Sequence, residues 1–165
     1  MTALLGRLDL HGEAGTEALA RRIAVVLRAG DVICLSGDLG TGKSVLARAV
    51  IRMLAGSDLE VPSPTFTLVQ AYEAPTFEIW HADLFRLADA GEVDELGLDD
   101  AFETSATLIE WPERAGDRLP ARRLEIRLEF CHKDTDRRAT LRGDASWRER
   151  ADVIVAGYAV ERDRP

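Results

Sequence analysis

The chain predicts a three-layer α/β fold, with a mostly parallel central sheet and one antiparallel hairpin, and three observations carry that expectation. A short apolar run, Val32-Ile33-Cys34-Leu35, reads as a buried strand. Directly after it, Gly37-Asp-Leu-Gly-Thr-Gly-Lys-Ser44 matches G-x-x-x-x-G-K-[ST], the phosphate loop. From Lys43 onward Leu46, Ala47, Val50, Ile51 and Leu54 recur at helical spacing. Strand, loop and helix thus stand in the order required of a P-loop NTPase unit.

Before that unit, Thr16 is a candidate N-cap for a helix that carries Leu19, Ile23, Val26 and Leu27 on one face and is closed by Gly30. After Gly56, Val61-Pro62-Ser63-Pro64-Thr65 predicts a stiff loop, because each proline biases its predecessor toward extended geometry. Thr67–Tyr72 and Phe77–Ala82 are β-rich runs around Glu73-Ala74-Pro75-Thr76, the pattern of an antiparallel hairpin. An acidic stretch, Glu92–Glu103, reads as helical. Ala106-Thr107-Leu108-Ile109 forms a short strand ending at Glu110 and Trp111, where Pro112 stops it. Leu124–Phe130 and Arg138–Arg142 read as two further strands, and a last amphipathic helix would turn Trp147, Ala151, Ile154, Val155 and Tyr158 inward. Residues 1–165 are expected to form a single P-loop ATPase domain, with 144–165 as a C-terminal helical extension.

The loop predicts the chemistry. Its glycines let the backbone curl with N–H groups pointing inward, Lys43 reaches the outer phosphates, and the Ser44 hydroxyl is placed to ligate Mg²⁺. A helix N-terminus facing the same point favours the anion further. Lys43 and Lys133 are the only lysines beside nineteen arginines, and a compact ammonium fits inside such a loop where a planar guanidinium does not. Asp38, Leu39, Gly40, Thr41, Gly42, Lys43 and Ser44 are therefore the expected nucleotide-binding run. Hydrolysis also needs a carboxylate and a γ-phosphate sensor. Glu110 ends an apolar strand and would emerge at its C-terminal edge, where α/β folds place ligands. Asp83 follows a strand and reads either as a second catalytic acid or as a simple N-cap. Thr65 lies on the proline-stiffened loop, where a hydroxyl can sense γ-phosphate or Mg²⁺ as switch loops do. His81, His11 and His132 belong to no metal-ligand spacing, and histidine-based catalysis carries little weight.

Composition excludes several classes. Net charge is −8 and the pI is about 4.9, so the overall field opposes non-specific binding of DNA or RNA. Cys34 and Cys131 match no metal or disulfide pattern and fit a reducing cytoplasm, Cys34 as a small core residue. No apolar run approaches the roughly 20 residues that span a bilayer, and the N-terminus has no apolar signal core. A soluble cytoplasmic protein is expected.

Five ordered blocks beside one another carry a family resemblance: the loop Gly37–Ser44, Ser63-Pro-Thr-Phe-Thr-Leu68 with Tyr72, His81-Ala-Asp-Leu-Phe-Arg-Leu87, Glu95-Leu-Gly97, and Ile109-Glu-Trp-Pro-Glu113. Over roughly residues 8–143 the chain resembles the TsaE (YjeE) family of bacterial ATPases. The resemblance implies an ATP-binding and hydrolysing subunit that works with the TsaD and TsaB proteins to form threonylcarbamoyladenosine beside the anticodon of tRNAs, meeting tRNA only indirectly and not transferring the carbamoyl group itself. It implies ATP/ADP and Mg²⁺ as cofactors, Ser44, Glu110 and Asp83 around the metal, and Lys43, Asp83 and Glu110 as catalytic. It also implies Thr65 in a switch-like loop and Trp111 on a partner-facing rim. The chain departs from the family's usual residues at Thr41 (often Ala), Ser44 (commonly Thr) and Phe85 (usually Tyr), and each keeps the needed chemistry. Adenine is favoured over guanine because the chain has no asparagine and so no Asn-Lys-x-Asp guanine-reading segment. Two other readings stay open: a small-molecule kinase with Arg114–Arg123 as a lid, and a nucleotide-dependent adaptor that does not hydrolyse.

Overall fold

In the computed structural model, which describes residues 2–160, seven strands form one sheet in the order β1-β7-β6-β2-β5-β4-β3. The strands are β1 (Ala3–His11), β2 (Val32–Ser36), β3 (Val69–Glu73), β4 (Glu78–Asp83), β5 (Ala106–Glu110), β6 (Leu124–Phe130) and β7 (Asp136–Gly143). The four central strands, β6-β2-β5-β4, pair in parallel. Antiparallel pairs flank them on both sides: the expected hairpin β3–β4, and the run β6-β7-β1. Burial explains the split. β2 and β5 are covered on both faces and read as unbroken apolar runs, as central parallel strands must.

Helices α1 (Gly12–Val26), α2 (Lys43–Ala55) and α4 (Arg148–Val155) accompany one face, where Leu8, Leu19, Ile23, Ile33, Leu35, Leu46, Ile51 and Trp147 join one core. On the other face the 3₁₀ segments Ala90–Leu96 and Pro112–Arg118 and helix α3 (Leu98–Thr104) close a second core around Val32, Cys34, Ala82, Leu84 and Ile109. Cys34 is the small core residue expected, and burial pushes its thiol up to about 12. Among the described residues no helix is long and apolar enough to cross a membrane.

Four local readings need correction. Strand β1 was not foreseen: its alternation is broken by a register shift between Leu4 and Gly6, and its apolar residues are leucines rather than β-branched. Because β1 runs directly into α1, that helix begins at Gly12 and Thr16 lies buried within it, while Gly30 sits in the loop beyond and donates to the Ser105 carbonyl at 3.0 Å. The acidic stretch is broken by Gly97 at φ 74° into a 3₁₀ segment and α3. Its start is fixed by a reciprocal cap, in which Asp89 accepts from Gly91 and Glu92 accepts from the Asp89 amide. The last helix spans only Arg148–Val155, with Trp147 buried on the 3₁₀ turn before it and Tyr158 packed beyond it. Arg150 fastens α4 by donating to Asp31 at 2.5 Å while stacking on Trp147. Of the expected 144–165 extension, residues 161–165 lie outside the described residues.

Candidate functional site

The parallel core brings the C-terminal ends of β2, β5 and β4 to one edge, and the first residues beyond each end build a cleft of about 340 Å³. After β2 the chain curls through the phosphate loop into α2. Gly37 begins the curl at φ 139°, and a Cβ there would stand 2.3 Å from the Leu128 carbonyl of β6, so this position admits only glycine. Gly42, at φ 101°, precedes α2, whose first turn no described side chain caps. The free N–H groups of that turn open onto the cleft, which is the arrangement that attracts phosphate.

Lys43 is buried at the centre of this edge, donating to the Gly37 carbonyl at 2.6 Å and the Asp38 carbonyl at 2.9 Å. Its ammonium lies 4.1 Å from the Trp111 ring centroid, and Trp111 in turn packs against Phe85 at 4.8 Å. Burial lowers the Lys43 pKa, opposed by the charges of Glu110, Glu113, Asp83 and Asp38. Trp111 takes this position with a left-handed backbone, φ 58°, immediately after Glu110.

Glu110 ends β5 almost wholly buried, and both its oxygens are used. Ser44 Oγ donates to Oε1 at 2.6 Å, and His81 Nε2 lies 2.8 Å from Oε2. A carboxylate only accepts, so Nε2 carries the donated proton, while Nδ1 is buried without a partner. Asp83 is the register neighbour of Glu110 across β4–β5. Its Oδ1 accepts from the Phe85 amide at 3.0 Å and its Oδ2 from Thr65 Oγ at 3.3 Å. Asp83 thus caps the turn after β4 and also tethers the Ser63–Thr65 loop, where Ser63 and Thr65 share a 2.8 Å hydrogen bond.

Leu39, Gly40, Gly42, Lys43, Ser44, Thr65, Asp83 and Glu110 all line the cleft. Asp38 and Thr41 do not. Asp38 is exposed and works through its carbonyl, and the buried Thr41 hydroxyl donates to that carbonyl at 2.8 Å, stitching the loop from within.

A family model described as "Threonylcarbamoyl adenosine biosynthesis protein TsaE" matches residues 10–139. The chain belongs to the TsaE family. A Rickettsia bellii protein named tRNA threonylcarbamoyladenosine biosynthesis protein TsaE is 38% identical over 134 residues, covering 81% of this chain and 93% of the relative. A Mycobacterium tuberculosis protein of the same name is 38% identical over 146 residues, covering 81% and 82%. Among solved structures, Bacillus subtilis YdiB superposes with a TM-score of 0.75 at 26% identity, covering 92% of this chain and 93% of that one. The TsaE-family fold here is a nucleotide-binding P-loop fold with the phosphate loop at its expected edge.

Two groups at this TsaE site were not read as functional in the sequence. His81 read as a polar strand residue, yet it is fully buried against Glu110, 29 residues away in sequence. Arg86 lines the cleft with its guanidinium 4.5 Å over the Phe66 ring. Its sequence signal is its place in the block His81–Leu87, three residues after Asp83.

Proposed function

We propose that the chain is an ATP-binding and hydrolysing subunit required, with TsaD and TsaB, for forming the threonylcarbamoyl group on tRNA adenosine in the cytoplasm. The pathway comes from the names of its relatives. The chemistry rests on one contact, Ser44 Oγ to Glu110 Oε1 at 2.6 Å, beside an uncapped helix N-terminus and a buried lysine. Loop amides and Lys43 bind the polyphosphate, and Thr65 with Asp83 positions the nucleophilic water.

The donor set suits Mg²⁺. The groups at hand are hard oxygens, and among the described residues no cluster of three or more His, Cys, Asp or Glu forms a cage. Mg²⁺ is commonly held by one or two carboxylates, substrate phosphates and waters. Ser44 and Glu110 would hold it, with Asp83 at the outer edge, and it would supply charge neutralisation between the phosphates.

His81 then serves Glu110 as an outer partner. His81→Leu is expected to weaken the magnesium-dependent part of ADP affinity by about 10–100-fold, with His81→Gln, which keeps an N–H donor, recovering most of it. Calorimetric titration of ADP with and without magnesium checks this. Equal magnesium dependence in His81→Leu and the parent protein contradicts it.

Arg114 stands 5.8 Å from the ring centroid of cleft-lining Phe85, and the rest of the Arg114–Arg123 segment is held away from a kinase lid's mobility. Ala115 is buried in the second core, Arg118 pairs with Asp94 at 3.1 Å and Arg123 with Glu125 at 2.7 Å, so the segment is fastened down. The deciding experiment measures phosphate release from Mg-ATP by the protein alone and with TsaD and TsaB. Slow release, raised by the partners, is expected. Release indifferent to them removes the proposal's central element, and transfer of phosphate to a small acceptor instead of water supports the kinase.

A further inference from the structure

Arg137, near the start of β7, lies against the outer side of the phosphate loop, 96 residues away in sequence from Thr41. Its Nε donates to the Thr41 carbonyl at 3.1 Å and its Nη2 to the Gly40 carbonyl at 3.3 Å. Nη1 donates to the carbonyls of Asp134 at 2.5 Å and Asp136 at 2.8 Å. The guanidinium also stacks 4.7 Å from the ring centroid of Phe130, its register neighbour on β6. The same ring backs the loop, for a Cβ on Gly40 would stand 3.8 Å from Phe130 Cζ. With Leu128 pressed against Gly37, the β6–β7 hairpin forms a wall behind the loop.

Planar trans peptides convert this wall into a statement about the cleft. A carbonyl held outward turns the next residue's N–H to the opposite side. Fixing the Gly40 carbonyl directs the Thr41 amide back to the Asp38 carbonyl, where it bonds at 3.2 Å. Fixing the Thr41 carbonyl directs the Gly42 amide into the cleft that Gly42 lines. Each of the four hydrogen bonds of the guanidinium ends on a main-chain carbonyl, so its positive charge stands behind the loop.

We propose that Arg137 is a positioning residue for the phosphate loop, holding the Gly40 and Thr41 carbonyls outward so that the loop amides meet a diphosphate or triphosphate already aligned. The inference rests on the nucleotide-binding reading of the loop. It does not involve contact with the base or ribose.

The test compares the full chain with Arg137→Ala and Arg137→Lys, titrated calorimetrically with Mg-ADP and with Mg-pyrophosphate, alongside the melting midpoint of each protein without ligand. Arg137→Ala is expected to weaken both ligands by the same factor, about tenfold, the scale of one charge-assisted hydrogen bond. Arg137→Lys, whose ammonium cannot fork across two carbonyls, is expected to fall between. Wild-type affinity in Arg137→Ala overturns the proposal, as does a loss for ADP that spares pyrophosphate. If Arg137→Ala does not fold, Arg137→Lys decides, and parental affinity there overturns the proposal equally. Failure of the parent protein to bind Mg-ADP would instead overturn the nucleotide reading beneath it.

Discussion

Lys43→Ala is expected to lower affinity for Mg-ATP by about 10²–10⁴-fold, the worth of two charge-assisted hydrogen bonds at roughly 1.5–3 kcal/mol each. The protein should nevertheless stay folded. Lys43 is only 4% exposed, and its burial lowers its pKa, which means that the fold works against the ammonium rather than gaining from it. Its partners are the Gly37 and Asp38 carbonyls, and the Asp38 carbonyl keeps the Thr41 amide and hydroxyl as donors when the side chain is cut back. The melting midpoint without ligand should therefore hold or rise, while nucleotide binding collapses. A fall in the midpoint that matches the loss of binding would show that Lys43 is structural. Alkaline pH tests the same residue in the parent protein. A lysine whose folded pKa lies below its ordinary 10.5 loses its proton earlier, so ADP affinity should decline with rising pH before 10.5 is reached. Over the interval between folded and unfolded pKa the unfolded chain binds more protons, and the stability of the ligand-free protein should rise there. Opposite slopes for affinity and stability over one pH interval are the signature of a functional, buried cation.

Much of this was legible in the sequence because it is local. The phosphate loop is eight consecutive residues, and β2 and β5 are short apolar runs. Glu110 is placed at a strand's C-terminal end by the run Ala106–Ile109 before it and the Pro112 stop after it. What stayed hidden is what pairing decides. His81 gains its partner only when β4 lies beside β5, and Arg137 meets the loop only because β6 and β7 turn back behind it. No periodicity within β4 or β7 encodes either contact. Strand β1 is hidden for a related reason: its pairing to β7 is non-local, and the register shift near Gly6 leaves only Gly6–His11 in alternation, with leucines rather than β-branched residues facing inward. The Thr41 substitution also gained meaning only in three dimensions, since its hydroxyl bonds the Asp38 carbonyl that Lys43 shares.

Glu110→Gln is expected to weaken the magnesium-dependent part of nucleotide affinity by about 10–100-fold, no less than His81→Leu does, and, at saturating Mg-ATP, to slow phosphate release by about 10²–10³-fold, the scale of removing one preorganised electrostatic group. The substitution keeps size and keeps an oxygen able to accept from Ser44. What changes is the side facing His81. If that oxygen stays with Ser44, the new amide nitrogen opposes the Nε2–H at 2.8 Å, two donors in a fully buried site. The imidazole must then move its proton to Nδ1, an atom with no partner, at a cost of about 1–3 kcal/mol. A modest drop in melting midpoint should therefore accompany the catalytic loss, and combining the variant with His81→Leu should remove that part of the drop. The same variant separates an ATPase from an adaptor. If threonylcarbamoyladenosine formation in the reconstituted assembly falls in step with phosphate release, hydrolysis drives the cycle. If formation persists while release is lost, nucleotide only orders the Thr65 loop and the cleft face, and the assembly does not depend on hydrolysis.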